Sequence, residues 1–111
     1  MKPLYIVLSS DRLGEGEEEL GKLLMGNFLK ILGGEGGPPS AIFLINRGVY
    51  LATGSSVAVD FLVHLREQGV GIYLCQTCVE FYGISKELAL GEISGMGKLV
   101  EMVTTGRVTF I

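Results

Sequence analysis

Three short runs in this chain, Leu4–Leu8 (LYIVL), 41–45 (AIFLI) and 70–74 (VGIYL), carry apolar residues or glycine at every position. A strand with one wet face alternates apolar and polar residues. A run without polar positions needs cover on both faces, which describes a central strand of a parallel sheet. Parallel neighbours need crossover connections, and helix-period segments lie where those connections belong. Leu20, Leu23, Leu24, Phe28, Ile31 and Leu32 recur at three- and four-residue spacing, which predicts an amphipathic helix of about four turns. Glu15, Glu17, Glu18 and Glu19 suit its positive N-terminal end, and Gly33 and Gly34 stop it.

Residues 33–39 (GGEGGPP) form a breaker-rich connection, too short to separate domains. Ser55 and Ser56 offer an N-cap for a second helix with Val57, Phe61, Leu62 and Leu65 inward, closed by Gly69. A short helix is predicted from the Cys75–Cys78 segment to Gly83, a short strand over 88–93, a helix over Met96–Thr105 and a last strand over 108–111. The alternation predicts an α/β fold with right-handed crossovers and a mostly parallel sheet between helix layers. At 111 residues and 48% apolar, the chain has room for one core, so residues 1–111 are expected to form one domain. Most of the 17 glycines punctuate these elements. Gly21, Gly26 and Gly71 fall inside them and predict close backbone packing, including contact between subunits.

Nine basic against twelve acidic residues give a net charge of −3 without a polybasic patch, which argues against nucleic acid and anionic membrane as partners. No apolar run is long enough to cross a bilayer. Lys2 is not followed by the extended apolar region of a signal peptide, so a cytoplasmic location is the expectation.

In open parallel sheets, ligands bind at the rim formed by the carboxyl ends of the strands. That rule selects Ser9-Ser10-Asp11, Asn46-Arg47-Gly48 and Leu74-Cys75-Gln76-Thr77-Cys78. The two cysteines sit where a strand meets a helix, Cys75 near the cap and Cys78 in the first turn. Unpaired amides and the helix dipole there would lower a thiol pKa, with help from Arg47 if it reaches across the rim. The spacing also lets one sulfur resolve an adduct on the other. Two cysteines buried as small hydrophobes are the alternative; position argues against it for Cys75, and less strongly for Cys78.

A closed zinc site needs four ligands, and the only further strong donor is His64, so neither metal nor cofactor is implied. A thioredoxin-type site would need a proline facing the pair, and Pro3, Pro38 and Pro39 are the only prolines. Residues 13–19 (LGEGEEE) imitate a phosphate loop, but their glutamates would repel phosphate and no Lys-Ser/Thr follows. Asp60 and His64, four apart on a helix, read as a solvated pair, since no nucleophile-elbow sequence accompanies them.

The segments VLSSDRLGEGEEELGKLLMGNFLKIL, IFLINRGVYL, GIYLCQTCVEFYGI and LALGEISGMGKLVEMV together resemble the DsrE-like domain at the C-terminal end of YedF proteins. The resemblance covers nearly the whole chain. It implies a three-layer α/β/α sandwich around a mostly parallel five-stranded sheet, and a homo-oligomer, trimer or hexamer. It also implies sulfur relay through a cysteine persulfide held just after the third strand. By position that cysteine corresponds to Cys75, and Cys78 to the second cysteine of members that have two. Asn46 and Gly48 match the family's second-strand loop, and Ser10 and Asp11 its first-strand rim. YedF proteins also carry a TusA-like domain with a Cys-Pro motif, absent from this sequence, so a separate donor or acceptor protein, such as a TusA-like one, is implied. The expected function is thus a sulfurtransferase-like relay with catalytic Cys75 and Cys78 and with Ser10, Asp11, Asn46, Arg47 and Gly48 around the carried group. The alternative is a non-catalytic oligomeric binding module with structural cysteines.

Overall fold

The computed structural model describes residues 2–34 and 36–111; Glu35, inside the glycine-rich connection, and Met1 lie outside the described residues. Strands β1 (Leu4–Leu8), β2 (Ala41–Leu44), β3 (Gly71–Cys75), β4 (Glu92–Ser94) and β5 (Arg107–Phe110) alternate with helices α1 (Glu18–Leu32), α2 (Val59–Glu67), α3 (Gln76–Tyr82) and α4 (Met96–Thr105). They form one sheet in the order β4-β3-β2-β1-β5, with every neighbouring pair parallel. The chain steps outward from β1 to β4 and then returns across the sheet to lay β5 beside β1. Right-handed crossovers running in opposite directions put their helices on opposite faces. So α1, α2 and α3 cover one face and α4 alone covers the other.

The fully apolar strands supply both cores. Ile6, Leu8, Ile42, Leu44, Ile72 and Leu74 meet Met25 and Leu29 of α1, Leu62 and Leu65 of α2 and Val79 of α3. The alternate residues Val7, Ala41, Phe43 and Cys75 meet Leu99 and Met102 of α4. Each fully buried leucine-sized side chain contributes about 1.5–3 kcal/mol, which makes these central strands the stiff frame of the rim.

Several local expectations shift. In α1 the buried residues are Gly21, Met25, Gly26 and Leu29, whereas Leu20, Leu23, Leu24 and Ile31 are 40–60% exposed. The helix is apolar on two adjoining faces, and periodicity alone did not tell them apart. Gly21 selects the inner one: a Cβ there would lie 2.7 Å from Arg12 Cβ. At Gly26 an added Cβ would meet only Phe61, at an ordinary 3.7 Å, so no close approach depends on it. At Gly71 the crowding comes from the ring of Tyr73 on the same strand, 2.8 Å away, rather than from a neighbouring backbone.

Helix α2 starts at Val59 and not beside Ser55; Ser56 Oγ instead accepts the Ala58 amide in the turn before it, 3.1 Å. Val57 is consequently exposed, not inward. The strand expected over 88–93 narrows to β4, because Leu88 bridges back to Thr53 and the Ala89 amide donates to the Ala52 carbonyl. Residues Asn46–Ala52, to which the sequence pattern assigned no element, form a 3-10 helix.

Candidate functional site

Because every strand is parallel, the carboxyl ends of all five lie along one edge. Strand order reverses between β1 and β5, the place where such sheets usually open a crevice. Here the Ser9 amide and hydroxyl both donate to the Ile111 carbonyl at 3.0 Å and fill it. The opening lies further along, between the ends of β2 and β3.

The chain leaves β2 through Ile45 and turns at Asn46, which has φ +52°. Asparagine tolerates this left-handed conformation better than most residues. The turn aims the Asn46 amide at Cys78, and the N–H donates to Sγ at 3.0 Å. Tyr82, four residues after Cys78 on α3, donates its hydroxyl to Asn46 Oδ1 at 2.9 Å. Two residues on, Gly48 brings the 3-10 helix against β1; a Cβ at that position would collide with the Leu8 carbonyl.

Cys75 ends β3 and caps α3 with extended backbone, φ −65° and ψ 121°. Both cysteines are free thiols, yet their surroundings differ. Cys75 is 3% exposed and packs with Phe43, Leu99 and Met102 beneath α4. Cys78 is partly buried between the two cores and lines an open cavity of about 370 Å³ with Asn46, Thr77, Phe81 and Tyr82. None of those five residues carries a charge. Burial pushes the Cys78 thiol pKa up, the Asn46 amide opposes this, and the adjoining Cys75 thiol adds to the rise. For Cys78 the net direction is therefore opposite to the lowering expected at a helix start.

Arg47 faces the other way. Its guanidinium donates to Asp11 Oδ2 at 3.4 Å and sits 5.0 Å above the Tyr50 ring centroid. Burial disfavours its charge, but the hydrogen bond and charge of Asp11 outweigh that and raise its pKa. Asp11 is 7% exposed, and its Oδ1 lies 3.7 Å from Arg12 Nε, an ionic contact too long for a hydrogen bond. Asp11 and Arg47 border a second cavity of about 190 Å³ with Lys22, Tyr50, Ser55 and Ser56. Ser10 Oγ accepts the Arg12 amide at 3.0 Å and closes a local turn.

Of the rim residues picked out by sequence, the fold thus brings Asn46 to Cys78 with Cys75 behind it. Ser10, Asp11 and Arg47 gather in a separate cluster, and Gly48 acts through its lack of a side chain. Tyr82 and Phe81 were missed, although Tyr82 stands at the i,i+4 spacing that puts it on the Cys78 face of a helix. Tyr82 also contacts Tyr50, ring centroids 4.9 Å apart, and Phe81, 5.2 Å away and edge-on. Among the described residues no group of three or more His, Cys, Asp or Glu could hold a metal ion. No described helix is long and apolar enough to cross a membrane.

Comparison with known proteins agrees with this architecture. The model of the DsrE/DsrF-like family matches residues 23–110. The ychN protein from E. coli superposes with a TM-score of 0.71 at 20% identity, covering 100% of both chains. MTH1491 from Methanobacterium thermoautotrophicum, titled a protein of unknown function, gives 0.67 at 20% identity over 97% of this chain and 96% of its own. BT1422 from Bacteroides thetaiotaomicron, likewise titled, gives 0.68 at 16% identity over 98% and 95%. At these identities the likeness is one of fold. No curated protein matches the chain.

Proposed function

The chain belongs to the DsrE/DsrF-like family, and on that basis we propose that it relays sulfane sulfur as a persulfide on Cys78. The Cys78 thiolate attacks the outer sulfur of a donor persulfide. The donor's S–S bond breaks, its thiolate leaves with the electron pair, and a new bond joins the sulfane sulfur to Cys78 Sγ. One observation carries this reading: of the two thiols, Cys78 lines the open cavity, with the Asn46 amide already donating to its sulfur. That amide stabilises negative charge on the sulfur during attack. Cys75, matched by position to the family's carrier, lies under α4, where an external donor has no access.

The uncharged cavity favours a protein-borne or other apolar-flanked persulfide donor over a free inorganic anion. A homo-oligomer in the cytoplasm, trimer or hexamer, fits the apolar side chains left outside, among them Leu20, Leu23 and Leu24 of α1 and Met96, Val100 and Val103 of α4. Intact-mass measurement after exposure to a cysteine persulfide tests the relay. Cys75→Ser is expected to take up the sulfur and Cys78→Ser to take up none. Equal uptake by Cys78→Ser removes the basis of this reading. A non-catalytic binding module is the second reading, favoured by the raised Cys78 pKa. Slow alkylation of both thiols across the neutral range would select it.

A further inference from the structure

We infer that Cys75 turns the relay into a sulfide-releasing step, an inference that rests on persulfide loading at Cys78. The two sulfurs divide access between them. Cys78 is open to the cavity, while Cys75 is 3% exposed and buried in a core cluster with Leu99 and Met102. Chemistry from outside therefore reaches Cys75 only through Cys78. Cys75 caps α3 and Cys78 is its third residue, and Cys78 packs against the core cluster that holds Cys75. Their thiols adjoin closely enough for Cys75 to perturb Cys78. As two free thiols, the pair can give up two electrons by closing a disulfide.

Once Cys78 holds a persulfide, Cys75 Sγ attacks Cys78 Sγ. The bond between Cys78 Sγ and the sulfane sulfur breaks, and its electron pair leaves on the outer sulfur as hydrosulfide. The Cys75 proton passes to that leaving group, giving hydrogen sulfide and a Cys75–Cys78 disulfide. The sulfane sulfur is reduced and the cysteine pair oxidised, so a single turnover balances without another reactant. Repeated turnover then needs a dithiol reductant to reopen the disulfide. The Asn46 amide at Cys78 Sγ supports the same step, holding that sulfur in place while it is attacked.

The test loads wild type, Cys75→Ser and Cys75→Ala with a cysteine persulfide under anaerobic conditions, removes the donor, and follows free sulfide and intact mass. Wild type is expected to release one sulfide per loaded chain and to finish two hydrogen atoms lighter than the reduced protein. The Cys75 variants are expected to keep the added sulfur and release none; the alanine variant covers the case in which a buried serine hydroxyl prevents folding. A wild type that holds its persulfide as long as the variants overturns the step and leaves the carrier reading standing. Failure of every form to take up or release sulfur sinks both together.

Discussion

Asn46 and Arg47 are neighbours in sequence and serve opposite environments. Asn46 belongs to an uncharged, open cluster with Cys78, Tyr82 and Phe81. Arg47 belongs to an ionic one, where Asp11 stands between two guanidiniums. The difference shows why a cation near a thiol in sequence need not tune it. The Arg47 charge is taken up by Asp11 and the Tyr50 ring, and the Cys78 sulfur feels burial, one backbone amide and the Cys75 thiol instead. The Tyr50–Tyr82 ring contact joins the two sides.

The most disruptive way to break this arrangement is at the residue that holds both clusters against the sheet. Gly48→Ala would drive a methyl group into the Leu8 carbonyl. That group belongs to a central strand and cannot move aside cheaply, so the expected loss is about 1–3 kcal/mol or more. An unchanged urea midpoint would show that the 3-10 helix shifts freely and is not what positions Asn46 and Arg47.

Next in size is Arg47→Ala. It removes one partner of the buried Asp11 carboxylate and leaves the longer contact to Arg12. Breaking a fully buried pair costs about 3–5 kcal/mol. The Arg47 side chain is 44% exposed, however, so solvent screening reduces the expected cost to about 1–2 kcal/mol. The Cys78 alkylation rate should stay within about twofold of wild type if the clusters are independent. A larger change would mean that the tyrosine contact couples them.

The frame of the molecule was legible because its signal is redundant. Strands without polar positions, helix-period crossovers and glycine stops all agree on a parallel α/β sheet, and the rim then follows from strand direction. What sequence obscured was local. Helix α1 carries two apolar faces, and the stripe containing Leu20, Leu23, Leu24 and Ile31 proved to be the outer one. At the site, sequence position argued against burial more strongly for Cys75 than for Cys78, and the structure reverses that order. Their difference arises from α4, which returns from the far end of the chain to cover Cys75. The turn of Arg47 toward Asp11 depends on the Asn46 dihedral, which no residue pattern announced.

A finer probe of the uncharged cluster is Tyr82→Phe. It deletes the hydroxyl that donates to Asn46 Oδ1, an exposed hydrogen bond with an expected contribution near ~0.5–1 kcal/mol. Its sharper readout is chemical. Release of the Asn46 side chain loosens the amide on Cys78 Sγ, which removes the one group opposing the rise in thiol pKa. Alkylation of Cys78 at neutral pH should therefore slow, while Arg47→Ala leaves it nearly unchanged. Equal rates in Tyr82→Phe and wild type would show that Asn46 holds its conformation unaided.

The smallest expected effect is a pH dependence of stability carried by the same thiol. Burial, the first of the causes, raises the Cys78 pKa above its unfolded value, so the folded chain holds that proton more tightly than the unfolded chain does. Its contribution is full below the ordinary thiol pKa of ~8.5 and is lost as pH climbs toward the raised folded value. Unfolding midpoints of wild type should consequently fall slightly more than those of Cys78→Ser above that pH. Arg47→Ala should reproduce the wild-type slope, because Arg47 is not among the groups that shift the thiol. Parallel slopes for wild type and Cys78→Ser would place the thiol in solvent like an ordinary cysteine. The contrast between the two clusters would then be one of shape and not of electrostatics.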